Sequence, residues 1–331
     1  MRKIALEEHF VTPELAGYSL AGAHASMSEE SFGQFEKRLW EFDEMRIEAM
    51  DKASIDLAVL SVTTPGVQAE YDARKAVQRA REVNDILARE IQKHPTRFAG
   101  FAHLPLQSAA AAAQELTRCV RELGFKGAMI NGHTNGHYLD EQMYLPFWEC
   151  VQDLGVPVYL HPRDPYDLPH VYLGHPELLG ATWSWTMETA AHALRMVLGG
   201  TFTRFPKLTL LLGHMGEALP YLLWRLDSRA RIQSRQGRRE HRPPSEIIRQ
   251  NIMVTSAGMC SHPALLCALS ALGDDRVLFS ADYPYEDSCV AAQFIESAPV
   301  SEAVRAKICH GNAERILGLA VTREIPEKSI A

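Results

Sequence analysis

The segment KIALEEH at residues 3–9 carries the pattern that decides the fold. Residues 3–6 form a short apolar run, which predicts a buried β-strand, and the polar residues Glu7, Glu8 and His9 follow at once. Similar apolar runs recur along the chain, as expected for strands buried on both faces of a parallel sheet. The predicted strands cover residues 3–6, 57–62, 98–103, 127–130, 156–160, 208–212, 252–255 and 276–280.

Helical patterns separate these strands. The clearest covers residues 72–94, where apolar side chains recur at spacings of three and four until Pro95 ends the pattern. Gly124 and Gly273 are predicted to terminate two other helices. Eight strands that alternate with helices predict an α/β fold, either a doubly wound sheet or a closed barrel. The other predicted helices cover residues 109–123, 142–154, 186–199, 219–230, 263–272 and 302–308.

The composition is that of an ordinary globular protein. The chain has 331 residues, of which 46% are hydrophobic and 23% charged, so a large core is possible. Because no repeat or linker divides the sequence, we predict one domain over residues 1–331. Long connections at 11–40, 132–141 and 162–183 follow predicted strands, at the end where barrel enzymes build their sites. Residues 11–40 and 162–183 are the predicted active-site loop insertions.

Charge, hydropathy and cysteine content argue against several classes of function. The net charge of −7 disfavours a nucleic-acid partner, and acidic residues interrupt the arginine-rich stretch at 225–249. No apolar run approaches the roughly 18 residues that span a bilayer. The first apolar run is broken at residues 7–9, so we predict neither a membrane segment nor a secretory signal. Six cysteines without CxxC spacing predict a reducing, cytoplasmic setting.

Polar side chains stand where five of the predicted strands end. In a barrel these ends converge on one mouth, so the side chains are expected to lie close together. Carboxylates combined with two or three imidazoles form a suitable site for a divalent transition metal. The residues concerned are Glu7, Glu8, His9, Asn131, His161, His214 and Asp282.

Spacing refines the interpretation of the first strand. Glu7 and His9 are two residues apart, so both side chains point to one face of an extended strand and can bind the same metal ion. Glu8 then points the other way and is expected to pack or to support the ligands.

Other histidines have competing interpretations. His214 and Glu217 are three residues apart, and either they share a hydrogen bond or Glu217 simply favours a helix N-terminus through its charge. Both interpretations stay open. His103 and His192 lie among apolar residues and are predicted to be structural.

Six motifs along the chain carry a resemblance to a known family. They are ALEEHF (5–10), TPGVQ (64–68), GFKGAMING (124–132), YLHPR (159–163), GHMGEALPY (213–221) and DYPYE (282–286). Together they resemble the amidohydrolase-superfamily decarboxylases, the group with γ-resorcylate, dihydroxybenzoate and 5-carboxyvanillate decarboxylases. The resemblance extends from Ile4 to about Leu317. It implies a (β/α)₈ TIM-like barrel, one divalent metal ion, Mn²⁺ or Zn²⁺, and a carbon–carbon lyase of aromatic compound catabolism.

The resemblance also implies roles for individual residues. The positions that match the family's metal ligands are Glu7, His9, His161 and Asp282. His214 and Glu217 match the family's conserved-motif pair beside the metal, and together with Asp282 they are the predicted catalytic residues. The matching substrate-binding positions are Arg46 and Asn131 near polar groups, Trp185 against the ring, and Arg225. In the family this last arginine comes from the neighbouring subunit, which implies a homo-oligomer, either a dimer or a tetramer.

The implied reaction is reversible, non-oxidative loss of CO₂ from an ortho-hydroxybenzoate. A protonated Asp282 is the predicted proton donor, and His214 is the alternative. YLHPRDP (159–165) is similar to the resorcylate branch, whereas GHTNGHYLDE (132–141) is similar to the carboxyvanillate branch, so the ring substituents stay open. No Rossmann glycine fingerprint or P-loop is present, so no organic cofactor is expected.

Two other functions compete with this one. A hydrolase of lactones or amides on the same barrel would use the metal to activate water and Asp282 as the base. Asn131 stands where a two-metal hydrolase would carry a bridging lysine, which disfavours that variant, and the Glu-x-His first motif fits decarboxylases better than His-x-His. A non-catalytic scaffold would bind no metal at the strand ends, and elemental analysis would detect that.

Overall fold

The computed structural model describes residues 1–20, 28–234 and 242–319, and this part of the chain contains eight parallel strands. Every strand residue is buried, as expected for strands covered on both faces. The strands are β1 (Ile4–Phe10), β2 (Leu57–Val62), β3 (Phe98–Gly100), β4 (Ala128–Asn131), β5 (Val158–His161), β6 (Leu210–Leu212), β7 (Ile252–Thr255) and β8 (Val277–Leu278).

The strands close into a barrel through two irregular joints. Hydrogen-bonded ladders run through β1-β2-β3 and through β4-β5-β6-β7-β8. Ala102 pairs with Ala128 just beyond β3 and joins the two sheets. Between β8 and β1, the hydroxyl of Ser280 accepts hydrogen bonds from the backbone N–H groups of Leu6 (2.8 Å) and Glu7 (2.7 Å). The predicted (β/α)₈ barrel is therefore confirmed, and the doubly wound sheet is excluded.

Helices connect the strands. The predicted helix at 72–94 spans Ala73–Lys93, and the side chain of Asp72 caps it by accepting from the N–H groups of Arg74 and Lys75. Gly273 ends the helix His262–Leu272 at φ 94°. Other α-helices in the described chain include Pro13–Ser19, Glu29–Trp40, Glu44–Lys52, Ala109–Arg121, Leu145–Leu154, Ser184–Leu198, Thr201–Arg204, Leu219–Ser234, Pro244–Asn251, Ser288–Glu296, Glu302–Ala306 and Asn312–Leu317.

The first strand differs from its prediction in length and in regularity. It continues through Glu7, Glu8 and His9 to Phe10, because its ladder with β2 is made by the backbone and not by apolar side chains. The pairing shifts by one residue between Ala5 and Glu8, which is a β-bulge. Bulges change which side chains face the core. β3 and β8 are shorter than predicted, since their predicted last residues leave the ladder for the joints described above.

The long connections lie at the C-terminal ends of their strands. The predicted insertion at 11–40 contains the helices Pro13–Ser19 and Glu29–Trp40, whose Leu15 and Leu39 are buried in the core; its residues 21–27 lie outside the described residues. The insertion at 162–183 carries three short 3₁₀ turns. Of the arginine-rich stretch, residues 235–241 lie outside the described residues. No described helix is both long and apolar enough to cross a membrane.

Candidate metal centre

Glu7 lies at the centre of a buried cluster of imidazoles at the mouth of the barrel. Its Oε1 atom is 3.3 Å from Nε2 of His161, 3.8 Å from Nε2 of His9 and 4.0 Å from Nε2 of His214. Glu7 and His9 come from β1, His161 ends β5 and His214 follows β6. Residues that are far apart in sequence therefore meet because the strand ends converge, as predicted.

Asp282 completes the cluster from the segment after β8. Its Oδ1 atom lies 3.3 Å from Nε2 of His9, and its Oδ2 atom lies 3.8 Å from Nε2 of His214. Two overlapping groups have ligand atoms that all lie within 4.8 Å of one another. One group is Glu7, His9 and His161, and the other is Glu7, His214 and Asp282. The structure thus brings together all four predicted metal ligands and His214.

Unpartnered polar atoms show that these residues fit a metal ion. Oε1 of Glu7 and both ring nitrogens of His9 are buried without a well-formed hydrogen bond, although burying such atoms unpaired is costly. Nδ1 of His161 lies 2.9 Å from the carbonyl oxygen of Pro162, an arrangement that assigns the proton to Nδ1 and leaves Nε2 free as a ligand. Two nitrogen and two carboxylate donors suit Mn²⁺ or Zn²⁺.

Burial opposes charge on the imidazoles of the cluster, whereas its carboxylates favour a cation. Burial lowers the pKa of His161 to about 4. Burial also opposes charge on His9, but the carboxylates of Asp282 and Glu7 raise its pKa to about 9. Burial alone would raise the pKa of Asp282, yet His214 and His9 hold it well below its usual range. The buried carboxylates therefore attract cations, which is the property a metal centre requires.

His214 and Glu217 form the hydrogen bond that was one of the two open interpretations. Nδ1 of His214 lies 2.6 Å from Oε1 of Glu217. The φ values of His214, Met215 and Glu217 are all positive, at 50°, 56° and 54°. This segment is therefore a tight turn and not a regular helix start. Gly258 makes room for it, because a Cβ there would lie 2.8 Å from Cδ2 of His214. The turn aims Nε2 of His214 into the cluster.

Tyr159 binds the other carboxylate oxygen of Glu7, and the sequence analysis did not predict this contact. Its buried hydroxyl donates to Oε2 of Glu7 and lies 2.7 Å from Oγ1 of Thr255. Gly213 leaves space for this contact, because a Cβ there would lie 2.7 Å from Oε2 of Glu7. With Oε2 bound, Oε1 is left for the cluster. Strand periodicity was the available signal, since Tyr159 precedes His161 by two residues and shares its face.

Tyr285 belongs to the motif DYPYE (282–286) and lies beside the metal centre. Its ring packs 5.5 Å from the ring of His9, centroid to centroid, and its hydroxyl contacts Oγ1 of Thr63. Burial raises the pKa of this phenol to about 12, so it stays protonated at neutral pH. Tyr285 therefore forms one wall of the metal centre, and only the fold brings it there.

Two of the predicted substrate-binding residues lie next to the cluster. Asn131 pairs with His161 across β4 and β5, and its Oδ1 atom is buried without a partner. The ring of Trp185 lies 6.1 Å from the ring of His161, and its buried Nε1 also lacks a partner. Both side chains thus have hydrogen-bonding capacity left for a ligand.

The two predicted arginines lie elsewhere. Arg46 is buried behind β1, where its Nη2 donates to the carbonyl oxygen of His9 at 2.6 Å and its guanidinium lies 4.7 Å from the ring centroid of Tyr283. Arg225 is exposed on the helix Leu219–Ser234. Contact of either arginine with a substrate stays a prediction.

His103 and His192 are structural, as predicted. Nε2 of His103 accepts from the N–H of Val67, and Nε2 of His192 accepts from the N–H of Leu139, each at 2.9 Å. Burial lowers the pKa of both rings to about 3, so both stay neutral.

A buried carboxylate–imidazole cluster at the C-terminal mouth of a (β/α)₈ barrel defines the class of metal-dependent barrel enzymes. Comparison with known proteins agrees with this class. A model of the amidohydrolase family matches residues 23–319. The gamma-resorcylate decarboxylase of Polaromonas sp. (strain JS666) is 42% identical over 327 residues, which cover 96% of this chain and 98% of that protein.

Solved structures give the same result. A dihydroxybenzoic acid decarboxylase from Polaromonas sp. JS666, with bound manganese and the inhibitor 2-nitroresorcinol, superposes with a TM-score of 0.90 at 43% identity, covering 96% of this chain and 97% of that one. A 5-carboxyvanillate decarboxylase from Novosphingobium aromaticivorans, with bound manganese and 3-methoxy-4-hydroxy-5-nitrobenzoic acid, superposes with a TM-score of 0.90 at 34% identity, covering 96% and 97%.

This chain belongs to the amidohydrolase family. The relatives that it matches over nearly its whole length are decarboxylases, so the predicted enzyme class, a carboxy-lyase, is confirmed. The same comparisons favour the lyase over the lactone or amide hydrolase.

Proposed function

We propose that the chain catalyses metal-dependent, non-oxidative decarboxylation of a benzoate with a hydroxyl group ortho to its carboxylate. The observation that carries this proposal is the buried cluster around Glu7, in which Oε1 of Glu7 and Nε2 of His9 lack hydrogen-bond partners. Such a cluster can bind a cation and, through it, two neighbouring oxygens of a substrate. The phenol and carboxylate oxygens of an ortho-hydroxybenzoate are spaced for that.

The cation would be held by Glu7, His9, His161 and Asp282. We propose Mn²⁺, because related decarboxylases contain bound manganese and the N₂O₂ donor set accepts it. A bound divalent cation supplies positive charge that favours an ionised phenol and orients the carboxylate. Zn²⁺ is the other metal that the donor set allows.

The chemistry requires proton delivery to a ring carbon. An ionised ortho hydroxyl pushes electron density onto the carbon that bears the carboxylate. That carbon takes a proton, the C–C bond to the carboxylate then breaks, and the electron pair returns to the ring as CO₂ leaves. Direct loss of CO₂ would instead leave an unstable aryl anion. The enzyme must therefore place an acid next to this carbon.

We assign the acid to Asp282, which the imidazoles of His214 and His9 keep ionised until it receives a proton. Its Oδ2 atom lies 3.8 Å from Nε2 of His214, whose Nδ1 is fixed by Glu217, so His214 can pass Asp282 the proton that each turnover consumes. Next to them, Trp185 and Asn131 each have one unpartnered polar atom that can meet the substrate ring or its substituents. His214 as the direct acid is the alternative that the experiments below distinguish.

The substrate class can be tested with a panel of benzoates. We expect 2,6-dihydroxybenzoate, 2-hydroxybenzoate and 5-carboxyvanillate to include substrates, and 3- and 4-hydroxybenzoate to react at least about 1,000-fold more slowly in kcat/KM, equivalent to about 4 kcal/mol. CO₂ release is measured in D₂O, and deuterium should appear at the carbon that lost CO₂. Equal turnover of benzoates that lack an ortho hydroxyl would refute the mechanism. Carboxylation of the product should occur at high bicarbonate.

We further propose that the enzyme is a homo-oligomer in which Arg225 reaches the site of a neighbouring subunit. Tyr221 and Trp224 lie on the same helix as Arg225 and are 81% and 74% exposed. Large aromatic side chains this exposed are typical of surfaces that another protein covers. An arginine beside them could pair with the substrate carboxylate through its bidentate fork.

A mixing experiment tests whether Arg225 acts in trans. Arg225→Ala alone should lose about 2–5 kcal/mol of transition-state stabilisation, roughly 30-fold or more in kcat/KM. An equal mixture of Arg225→Ala and Asp282→Asn subunits should recover about a quarter of the wild-type activity. The reason is that about half of the dimers are hybrids and each hybrid has one intact site of two. Arg229→Ala, on the same helix, is the matched control and should stay near wild type. Verified hybrids without recovered activity would contradict the proposal.

A cytoplasmic location is also proposed. Its support is that all six cysteines are free, as expected in a reducing compartment.

A further inference from the structure

Glu8 points away from the metal ligands and binds the segment that carries Asp282. Glu8 is 3% exposed, and its Oε1 atom accepts from the N–H of Ala281 at 2.9 Å. Its Oε2 atom accepts from the N–H of Tyr283 at 3.2 Å. These N–H groups belong to the two residues that flank Asp282, so one carboxylate bridges the backbone around that residue.

The backbone at Asp282 needs such support. Its φ of 64° is in the left-handed region, which non-glycine residues adopt only when their surroundings hold them there. The N–H of Asp282 donates to the carbonyl oxygen of Glu7 at 3.1 Å, and the N–H of His9 donates to the carbonyl oxygen of Tyr283 at 2.7 Å. With the two bonds from Glu8, the strained segment is tied to three successive residues of β1.

Arg46 supplies a positive charge on the same side of the strand. It is 1% exposed, its Nη2 atom binds the carbonyl oxygen of His9 at 2.6 Å, and its guanidinium packs over the ring of Tyr283. Two backbone hydrogen bonds and the charge of Arg46 favour an ionised carboxylate at Glu8, but burial outweighs them and raises its pKa, so a carboxyl group at this position is costly to bury. Nothing in the metal cluster requires a carboxylate at position 8, so its role must lie in this second set of contacts.

We propose that Glu8 is a positioning residue that aims the carboxylate of Asp282 at His9 and His214 by fixing the N–H groups of the two residues that flank it. The inference rests on the proposed function only in assuming that Asp282 binds a metal ion. Outer partners of this kind typically contribute 10–100-fold to metal affinity or activity.

The test replaces Glu8 by glutamine. The glutamine side chain would keep one acceptor oxygen, but its NH₂ group would replace the other oxygen. This NH₂ group would face a backbone N–H, and because both groups are donors, one of the two hydrogen bonds is lost. We expect Glu8→Gln to bind Mn²⁺ about 10–100-fold more weakly in titrations of metal-free protein. At saturating Mn²⁺, kcat should fall while KM changes little, because ligand and proton-donor geometry are altered but substrate contacts are not.

Glu115→Gln is the matched control. Glu115 is a buried carboxylate that binds Arg118 and Asn84, away from the metal cluster. The same chemical change there should reduce stability without changing Mn²⁺ affinity or kcat. If Glu8→Gln does not fold, Glu8→Asp is the second variant. Its side chain is shorter by one methylene, so the carboxylate is kept but its oxygens lie farther from the two N–H groups, and the same losses of Mn²⁺ affinity and kcat are expected.

A double-variant cycle separates positioning from a general structural role. In an Asp282→Asn background, Glu8→Gln should cause little further loss of Mn²⁺ affinity, because its effect passes through Asp282. Additive losses, or wild-type Mn²⁺ affinity and kcat in Glu8→Gln, would overturn the proposal. Mn²⁺ binding is measured without substrate, so a wild type that binds Mn²⁺ but does not decarboxylate hydroxybenzoates would count against the proposed function alone.

Discussion

Replacing His161 by alanine should remove both the metal ion and the activity. His161 is 3% exposed, its Nε2 atom lies 3.3 Å from Oε1 of Glu7, and its Nδ1 atom is engaged by the carbonyl oxygen of Pro162. Alanine offers no donor atom, so the group formed by Glu7, His9 and His161 would lose one of its three ligand atoms. The loss in kcat should exceed the roughly 10–100-fold that is typical of residues that only support ligands.

Metal content and turnover are measured together in this experiment. Elemental analysis of the purified wild type should find about one divalent ion per chain, which is the ordinary stoichiometry of a single site of this kind. The same analysis of His161→Ala should find almost none. His192→Gln is the control, because His192 is equally buried and only accepts a backbone hydrogen bond from Leu139. This variant should keep its metal. Full metal occupancy in His161→Ala would show that the ligand set is assigned wrongly.

Replacing Asp282 by asparagine should abolish turnover with little loss of fold. The asparagine side chain would keep the size of the original, but it can neither deliver a proton nor provide the charge that a metal ligand supplies. General acids typically contribute 10²–10⁴-fold, so we expect kcat to fall by at least about 1,000-fold. The enzyme should also stop exchanging the ring hydrogen of its phenolic product with D₂O, since this exchange is the protonation step in reverse.

The exchange assay distinguishes Asp282 from His214 as the acid. If Asp282 is the donor, Asp282→Asn loses exchange fully, whereas His214→Gln only slows it, because His214 would return protons and not deliver them to the ring. The opposite pattern, measured with metal bound to both variants, would assign the acid to His214. Glu286→Gln, in the same segment as Asp282, should behave like the wild type and controls for effects of charge.

Local sequence was a good guide to the strands and helices. The predicted strands at 57–62 and 252–255 coincide with β2 and β7, because a continuous apolar run is what a strand buried on both faces requires. The helix predicted at 72–94 was correct for a similar reason, since apolar periodicity, an Asp cap and a following proline all act within a few residues. The helices at Glu44–Lys52 and Ser288–Glu296 were not predicted, and Arg46, which lies on the first, forms contacts that no local pattern shows.

The candidate site was predictable to the extent that it lies at strand ends. Glu7, His9, His161 and Asp282 could be grouped because parallel strands in a barrel bring their C-terminal ends to one mouth, whatever the details of packing. The proximity of His214 followed in the same way, and its hydrogen bond to Glu217 became certain only with the turn in place. Tyr159 was missed because its contact with Glu7 joins β5 to β1 across the interior of the barrel.

The amino-acid sequence by itself determined the order and position of the strands and the residue types at the site, because these depend on local apolar runs. The runs alone also allowed a doubly wound sheet, and the barrel followed from the resemblance to a known family. Spacing correctly placed Glu7 and His9 on one face of β1 and Glu8 on the other, but only the tertiary structure decided which of the two faces is inward. Ile4 and Leu6 pack in the barrel interior, and strict alternation from them would turn Glu8 inward. The bulge between Ala5 and Glu8 instead directs Glu7 and His9 to the cluster and leaves Glu8 to bind the amides beside Asp282, more than 270 residues away. A bulge is set by the pairing of one strand with distant segments, and the spacing of residues along a single strand does not contain that information.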